Sequence, residues 1–199
     1  MTNLIERLDA ERERHHTLRH PFYLQWSAGE LTREQLAVYA GQYRHAVVAL
    51  AELAARDGDA EHAREEAAHI ELWDEFVDGI GGTRDEPTTE TQAFVDALRA
   101  AESPAQVNAV LYAIESMQPA VSQSKLDGLR THYGFAGDDP ATAYFRVHST
   151  LDDEHARQAA ERLSVFENSG ADATGAAECA TAALRANLEL LTGVEQLIA

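Results

Sequence analysis

Two histidines and an aspartate share the spacing of a metal half-site. His148, Asp152 and His155 stand at positions i, i+4 and i+7. In an α-helix, with about 100° between successive residues, these side chains fall within roughly 60° of one another on one face. Imidazole nitrogens and carboxylate oxygens are ligands that divalent transition metals take from proteins. We therefore predict a metal half-site here, with a solvated polar helix face as the alternative.

A second candidate half-site lies in the segment AEHAREEAAHIELW. Glu66 and His69 form a Glu-x-x-His pair, which is the spacing that diiron carboxylate bundles place on facing helices. The first half-site contains the same spacing, with Asp in place of Glu. Glu65 and His62 fall on about the same helical face as His69, at i−4 and i−7 from it. We predict Glu66 as the ligand, and Glu65 remains the alternative.

Glu115 is an acid in an apolar setting, between Leu111, Ile114 and Met117. Pro119 follows four residues later. We expect the helix to kink there, because proline has no N–H for the carbonyl of Glu115 and its ring crowds that carbonyl. A buried carboxylate costs free energy unless it is paired or bound to a metal. Glu115 is therefore predicted to be a ligand, with a cap or an arginine salt bridge as the alternative.

The predicted ligand set combines three carboxylates with three imidazoles. Two ferrous ions would bring a charge of +4 against −3, whereas without metal the clustered carboxylates repel and at least one takes up a proton. Mixed nitrogen and oxygen ligands favour iron or manganese over structural zinc. The predicted metal ligands are Glu66, His69, Glu115, His148, Asp152 and His155.

One basic residue differs in type from all the others. Of the 16 lysines and arginines, only Lys125 is a lysine. A guanidinium stays protonated and cannot supply a free amine, whereas a lysine can when it is buried. The position either needs an amine or has kept its lysine by chance.

The elements that position these residues are predicted to be helices, because the apolar residues recur with helical periodicity and the alternation typical of strands is nearly absent. We predict an all-α fold, a seven-helix bundle that forms a single domain over residues 1–199. Phe22 to Ala28 is read as a short helix or turn, and Thr32 with Gln35 has the pattern of a capping box. The other helices are predicted near residues 4–19, 33–56, 60–80, 90–101, 103–133, 141–168 and from about 176 onwards.

Composition narrows the functional classes. The net charge of −18 argues against nucleic acid and anionic membranes as partners. No apolar run approaches the roughly 18–20 residues that span a bilayer, and the N-terminus is polar, so we expect a cytoplasmic protein. The only cysteine, Cys179, excludes an intrachain disulfide and a Cys-rich zinc site. Bundles of this type often pair, so a homodimer is a candidate assembly.

Four stretches carry a family resemblance: HPFYLQWSAGELTREQLAVYAGQY, HIELWDEF, YAIESMQPAVSQSKLDGL and YFRVHSTLDDEHA. They resemble the haem-oxygenase-like diiron oxidases, from about residue 18 to residue 165. The resemblance implies the helical fold of thiaminase II and pyrroloquinoline-quinone synthase, with no haem required. It implies the ligands predicted above, with one departure: chlamydial members have an acid seven residues before the first ligand histidine, where this chain has His62. Other members use Glu-x-x-His, which favours Glu66.

The resemblance also implies an unusual reaction. In the chlamydial members the protein is its own substrate: with two Fe(II) and O2, one tyrosine becomes the ring of 4-aminobenzoate and a lysine gives its amino group. The tyrosine matches Tyr23 and the lysine matches Lys125. Tyr43 is a candidate redox partner, and manganese in place of one iron is an alternative. A further tyrosine of those members is Ile114 here, and nearby Tyr112 is expected to point elsewhere.

Three other readings remain open. An oxidase for an external small molecule, such as an amino acid or a fatty acid, would need a true pocket and would not need Tyr23 or Lys125. A thiaminase-type hydrolase would need a nucleophilic thiol, whereas Cys179 lies in an apolar helical segment. A metal-free binding or regulatory module would have solvated, scattered ligands.

Overall fold

Every regular element that the structure describes is helical, which confirms the all-α prediction. The structure, a computed structural model, describes residues 3–149, 152–168 and 172–199, with only the backbone at 152–154 and 168. Two short 3₁₀ turns lie at Thr17–Arg19 and Pro140–Thr142. The α-helices in these ranges are α1 (Leu4–Arg14), α2 (Pro21–Ala28), α3 (Arg33–Ala54), α4 (Ala60–Ile80), α5 (Thr89–Arg99), α6 (Pro104–Glu115), α7 (Gln118–His132), α8 (Ala143–His148), α9 (Asp152–Asn168) and α10 (Ala173–Ile198).

Polar side chains fix where α3 and α4 begin. Thr32 accepts a hydrogen bond from the backbone N–H of Gln35, and the Gln35 side chain accepts one from Thr32, so the predicted capping box is present. Asp59 caps α4 by accepting from the N–H groups of Glu61 and His62. The cap fixes the first turn of α4 and therefore helps to set which of its residues face inward.

The interior of the bundle is aromatic. Helix α3 packs along α4, α6 packs against α9 and α10, and α7 packs against α8. Each large aromatic side chain stabilises the fold by roughly 2–3 kcal/mol when it is fully buried. The rings at the centre of the molecule are those of Trp26, Tyr39, Trp73, Phe76 and Phe145. These five rings pack against one another in the core.

A break separates α6 from α7 at the position that Pro119 predicts. Helix α6 ends at Glu115 and α7 begins at Gln118. The hydroxyl of Ser116 donates back to the carbonyl of Tyr112, which supplies a local partner near the helix end. The carboxylate of Glu115 is thereby left at a helix terminus, with its side chain buried in the bundle.

The single helix expected over residues 141–168 is wrong, because α8 ends at His148 and α9 begins at Asp152. The hydroxyl of Ser149 donates to the carbonyl of Arg146 at 2.8 Å. Such a local bond competes with continuation of the helix, which serine favours little. The break means that His148 and His155 do not share one helix, so their relative direction cannot follow from the i, i+7 spacing.

A search of the described helices finds none that is both long enough and apolar enough to cross a membrane.

Candidate active site

Helix α4 turns three ionisable side chains into the core. His62, Glu66 and His69 are spaced i, i+4 and i+7 and are all buried. Other elements bring three more buried ionisable groups to the same region: Glu115 from the end of α6, His148 from the end of α8 and His155 from α9. Burying such groups costs free energy unless they are paired or bind a metal. Their convergence therefore points to a functional site rather than to ordinary packing.

Glu66, His69 and His148 form the first trio. Each offers one ligand atom, and these atoms lie within 4.8 Å of one another. The Nδ1 of His69 lies 2.9 Å from Oε1 of Glu66. The Nδ1 of His148 lies 2.9 Å from the carbonyl oxygen of Tyr144 and must donate to it. That bond leaves the Nε2 lone pair of His148 available to a metal ion.

His62, Glu115 and His155 form the second trio, also with ligand atoms within 4.8 Å. The Nε2 of His62 lies 3.2 Å from Oε1 of Glu115, and the rings of His62 and His155 lie 4.4 Å apart between centroids. The Nε2 of His155 hydrogen-bonds to Oε2 of Glu65 at 2.9 Å. The second trio therefore takes one residue from each of three helices.

The second trio contains buried polar atoms that a bound cation would pair. Three of its atoms are buried and make no hydrogen bond within the described part of the chain: Nε2 of His62, Oε2 of Glu115 and Nδ1 of His155. Buried polar atoms are normally paired, and three unpaired atoms at one point need an explanation. Two nitrogens and a carboxylate oxygen are suitable ligands for iron, so the residues fit the metal.

Burial and mutual contacts shift the pKa values of these groups. Burial raises the pKa of Glu115, and burial lowers that of His148 to about 4. Burial also opposes the charge on Glu66, but the hydrogen bond from His69 and the charges of His69, His148 and His62 together outweigh burial and lower the pKa of Glu66. Burial lowers the pKa of His62, but the hydrogen bond to Asp57 and the nearby carboxylates of Glu115 and Glu66 raise it to about 10. His62 and Glu115 therefore hold their protons more strongly than usual, and these protons offset part of the negative charge that a bound metal ion would otherwise balance.

The two trios contain five of the six predicted ligands. Glu66 joins the first trio, whereas Glu65 contacts His155 from the margin, with 40% of its side chain exposed. Asp152 begins α9, but its side chain lies outside the described residues. The half-site expected along one helix is divided, because the structure groups His148 and His155 in different trios.

His62 is the member of the trios that sequence reasoning did not choose. It was recognised only as lying on the face of His69. The available signal was the i, i+4, i+7 repeat of His62, Glu66 and His69 along α4, which matches the inward stripe of an amphipathic helix.

Lys125 lies in a cage of aromatic rings. Its amine donates to the hydroxyl of Tyr39 at 2.7 Å and lies 4.6 Å from the centroid of the Tyr23 ring and 5.0 Å from that of Tyr43. The rings of Trp26, Trp73 and Phe145 complete the cage at 5.8–6.0 Å. Burial lowers the pKa of Lys125 well below its usual 10.5, which favours the uncharged amine.

Tyr39 connects the two residues that the resemblance singles out. Its hydroxyl lies 2.9 Å from that of Tyr23 and also accepts the bond from Lys125. Burial raises the pKa of both Tyr23 and Tyr39, so both phenols keep their protons at neutral pH. Tyr39 is not among the residues that the sequence predicts for the site. Tyr112 instead donates to Asp9 at 2.8 Å, away from the cage, as expected.

The cage and the first trio are in contact through aromatic rings. Trp73, a wall of the cage, meets the ring of Tyr144 at a centroid distance of 4.7 Å. Tyr144 stacks on His148 at 3.9 Å. A small cavity beside both trios is lined by Leu50, Glu66, Ile114, Glu115, Gln118, Tyr144 and His148. The first trio and the buried amine therefore belong to one continuous site.

Comparison with known proteins identifies the class. The profile of the iron-containing redox enzyme family matches residues 10–188. The chain therefore belongs to the iron-containing redox enzymes and is an iron-dependent oxidoreductase with a haem-oxygenase-like fold. The resemblance of its motifs to this family is confirmed.

Individual relatives share one name. A protein of Chlamydia muridarum named 4-aminobenzoate synthase is 33% identical over 193 residues, which cover 85% of this chain and 81% of the relative. A 4-aminobenzoate synthase of Chlamydia pneumoniae is 33% identical over 189 residues, covering 83% and 84%. One from Nitrosomonas europaea is 30% identical over 186 residues, covering 76% and 74%.

Solved structures support the fold. The TenA homologue of P. horikoshii OT3 superposes with a TM-score of 0.76 at 18% identity, covering 98% of this chain and 99% of that one. A TenA homologue from Pseudomonas syringae gives a TM-score of 0.78 at 16% identity, covering 97% and 91%. At such low identity these likenesses establish the helical fold alone.

Proposed function

We propose that this protein is a 4-aminobenzoate synthase that consumes its own Tyr23 and Lys125. The observation that carries the proposal is the buried contact among Tyr23, Tyr39 and Lys125: the only lysine of the chain holds its amine 4.6 Å from the Tyr23 ring. The names of the relatives support the same product.

The chemistry of 4-aminobenzoate matches these two side chains atom by atom. In tyrosine the Cβ carbon is para to the phenol oxygen, and in 4-aminobenzoate the carboxylate carbon is para to the amine. The Tyr23 ring with its Cβ thus supplies the carbon skeleton, and Lys125 supplies nitrogen in place of the phenol oxygen. Cleavage of the Cα–Cβ bond and conversion of Cβ to a carboxylate are oxidations in which O2 is the oxidant, and the added reductant supplies the further electrons that reduce O2 to water. Transfer of the nitrogen forms the ring C–N bond, breaks the Cε–Nζ bond of Lys125 with oxidation of Cε to an aldehyde by the same oxidant, and releases the phenol oxygen as water.

The protein residues prepare the amine for this reaction. Burial lowers the pKa of Lys125 and so favours the uncharged amine, whose nitrogen carries a free lone pair. The hydroxyl of Tyr39 accepts a hydrogen bond from that amine and lies within hydrogen-bond distance of the Tyr23 hydroxyl. The surrounding rings exclude water and restrict the motion of the amine, which lowers the entropy cost of bringing the groups together.

The two trios are the proposed sites of two iron ions, one at Glu66, His69 and His148 and one at His62, Glu115 and His155. Asp152 remains a proposed further ligand, and manganese in place of one iron is the alternative that metal analysis distinguishes. Iron bound there would supply the activation of O2 and part of the electrons.

The wider setting remains a proposal. The net charge of −18 argues against nucleic acid and anionic membranes as partners. The proposed reactants are O2 and the protein's own side chains. We also propose a cytoplasmic location and, as an assembly to be tested, a homodimer.

The test is anaerobic loading with Fe(II), followed by O2 and a reductant, with mass spectrometry on the small-molecule fraction and on the protein. We expect 4-aminobenzoate together with mass losses at Tyr23 and Lys125. If iron binds and O2 is consumed but both residues stay intact, the protein is an oxidase for an external small molecule instead.

A further inference from the structure

Asp57 is a buried carboxylate behind the second trio. It lies in the turn before α4, and its side chain has no exposed surface. Its Oδ2 lies 2.6 Å from Nδ1 of His62, on the side of the ring opposite the atom that faces Glu115. Its Oδ1 accepts the backbone N–H of Asp59 at 2.6 Å. The carboxylate is thus anchored to the turn and directed at one imidazole.

A second set of contacts holds Asp57 from α9 and α6. Arg162 approaches Oδ2 of Asp57 at 3.3 Å and Oδ2 of Asp59 at 3.6 Å. The Nε of Arg162 also donates to the side-chain oxygen of Asn108 at 2.6 Å. These contacts run from Asn108 on α6 through Arg162 on α9 and Asp57 to His62 on α4, and they hold the His62 ring in one orientation.

The bond from His62 to Asp57 decides which nitrogen can bind a metal. A carboxylate accepts, so Nδ1 of His62 must carry a proton, and the lone pair of the neutral ring is then on Nε2. That Nε2 is buried, makes no hydrogen bond within the described residues and lies in the second trio. Carboxylates behind ligand histidines orient the ring and increase its basicity.

From this arrangement we infer that Asp57 is a positioning residue for the metal ion of the second trio, acting through His62. The inference rests on the proposed function, because it assumes that the trio binds a metal. The first trio lacks such a group at His148, whose Nδ1 donates to the backbone carbonyl of Tyr144. A change at Asp57 is therefore expected to weaken one metal position and to leave the other as it is.

Asp57→Asn is the decisive variant, because an amide nitrogen directed at Nδ1 would donate and would favour the wrong tautomer of His62. Asp59→Asn is a matched control: Asp59 also contacts Arg162 and accepts backbone N–H groups, yet its side chain does not bond to the His62 ring. Asparagine remains a good helix cap, so α4 is preserved.

The experiment is anaerobic titration of the metal-free full-length proteins with Co(II), followed by calorimetry and by the visible absorption of the bound ion. We expect two equivalents in the wild type and in Asp59→Asn. In Asp57→Asn we expect one position to bind about 10–100-fold more weakly, with loss of the absorption of that position. In the background His62→Gln, adding Asp57→Asn should change neither affinity further.

Two results would overturn the inference while leaving the proposed function in place: unchanged binding at both positions in Asp57→Asn, or equal weakening by Asp59→Asn. A wild type that binds no ion would overturn both. If Asp57→Asn does not fold by circular dichroism, Arg162→Gln is measured instead. We expect it to weaken the same position by a smaller factor, and unchanged binding in it would reject the inference.

Discussion

The amine of Lys125 and the ring of Tyr23 lie 4.6 Å apart in the core of the protein, although 101 positions separate the two residues in the sequence. Helix α2 supplies the ring and α7 supplies the amine, and these helices pack against each other. The contact gives the lysine an environment that stabilises an uncharged amine and presents it to an electron-rich ring.

Lys125 is expected to lower the free energy of unfolding of the protein, by an amount that depends on pH. Its folded-state pKa is depressed by burial, whereas the unfolded chain holds the proton up to about pH 10.4. In the window between the two values the unfolded state binds more protons, so stability rises with pH by about 1.4 kcal/mol per unit from this group.

We therefore expect Lys125→Met to be more stable than the wild type at pH 7, with a difference that shrinks at pH 8 and again at pH 9. Urea unfolding of both metal-free proteins measures it, and titrations of all other groups cancel in the difference. A gap that stays constant with pH would mean that the lysine is charged in the folded protein.

Tyr39 is expected to be needed for product but not for iron. Tyr39→Phe removes the hydroxyl that bonds to both Lys125 and Tyr23 while it preserves the ring. One neutral hydrogen bond is worth about 1 kcal/mol, so the rate of 4-aminobenzoate formation should fall by roughly fivefold with an unchanged iron content. Single-turnover assays with metal analysis measure both quantities.

Tyr112→Phe is the matched control for that variant, because it deletes a partly buried tyrosine hydroxyl whose partner, Asp9, lies outside the cage. It should retain the rate of the wild type. Equal rates in all three proteins would contradict a role for Tyr39.

Glu66 and Glu65 are adjacent residues with different predicted roles. Glu66→Gln removes a carboxylate from the first trio, so the bound iron should fall from two ions to one. Glu65→Gln changes a partly exposed group that hydrogen-bonds to Nε2 of His155 from outside both trios, so two ions should remain. Metal analysis after anaerobic loading and desalting compares them. The opposite order of loss would assign Glu65 as the ligand.

Local chemistry predicted much of the fold. The capping box at Thr32 and Gln35 follows from side chains three residues apart, and the break after Glu115 follows from the missing N–H of Pro119. The end of α8 did not follow, because a hydrogen bond from the hydroxyl of Ser149 to Arg146 decided it, and the sequence offers no comparable signal.

The candidate site was harder to predict than the fold. Spacing along one helix correctly grouped Glu66 with His69, but it could not decide which residues from other helices would face them. His148 and His155 were assigned to one helix face, and the break between α8 and α9 separates them. Tyr39 was missed because a tyrosine within an apolar stripe gives no sign that its hydroxyl meets a buried amine.

The most direct test of the central proposal uses the fact that the chain has only one lysine. Protein produced with lysine labelled by ¹⁵N at the side chain would be loaded with Fe(II), exposed to O2 and a reductant, and its product analysed by mass spectrometry. We predict that 4-aminobenzoate carries one ¹⁵N and that the protein loses the label from Lys125. Unlabelled 4-aminobenzoate, or no product with both side chains intact, would contradict the account.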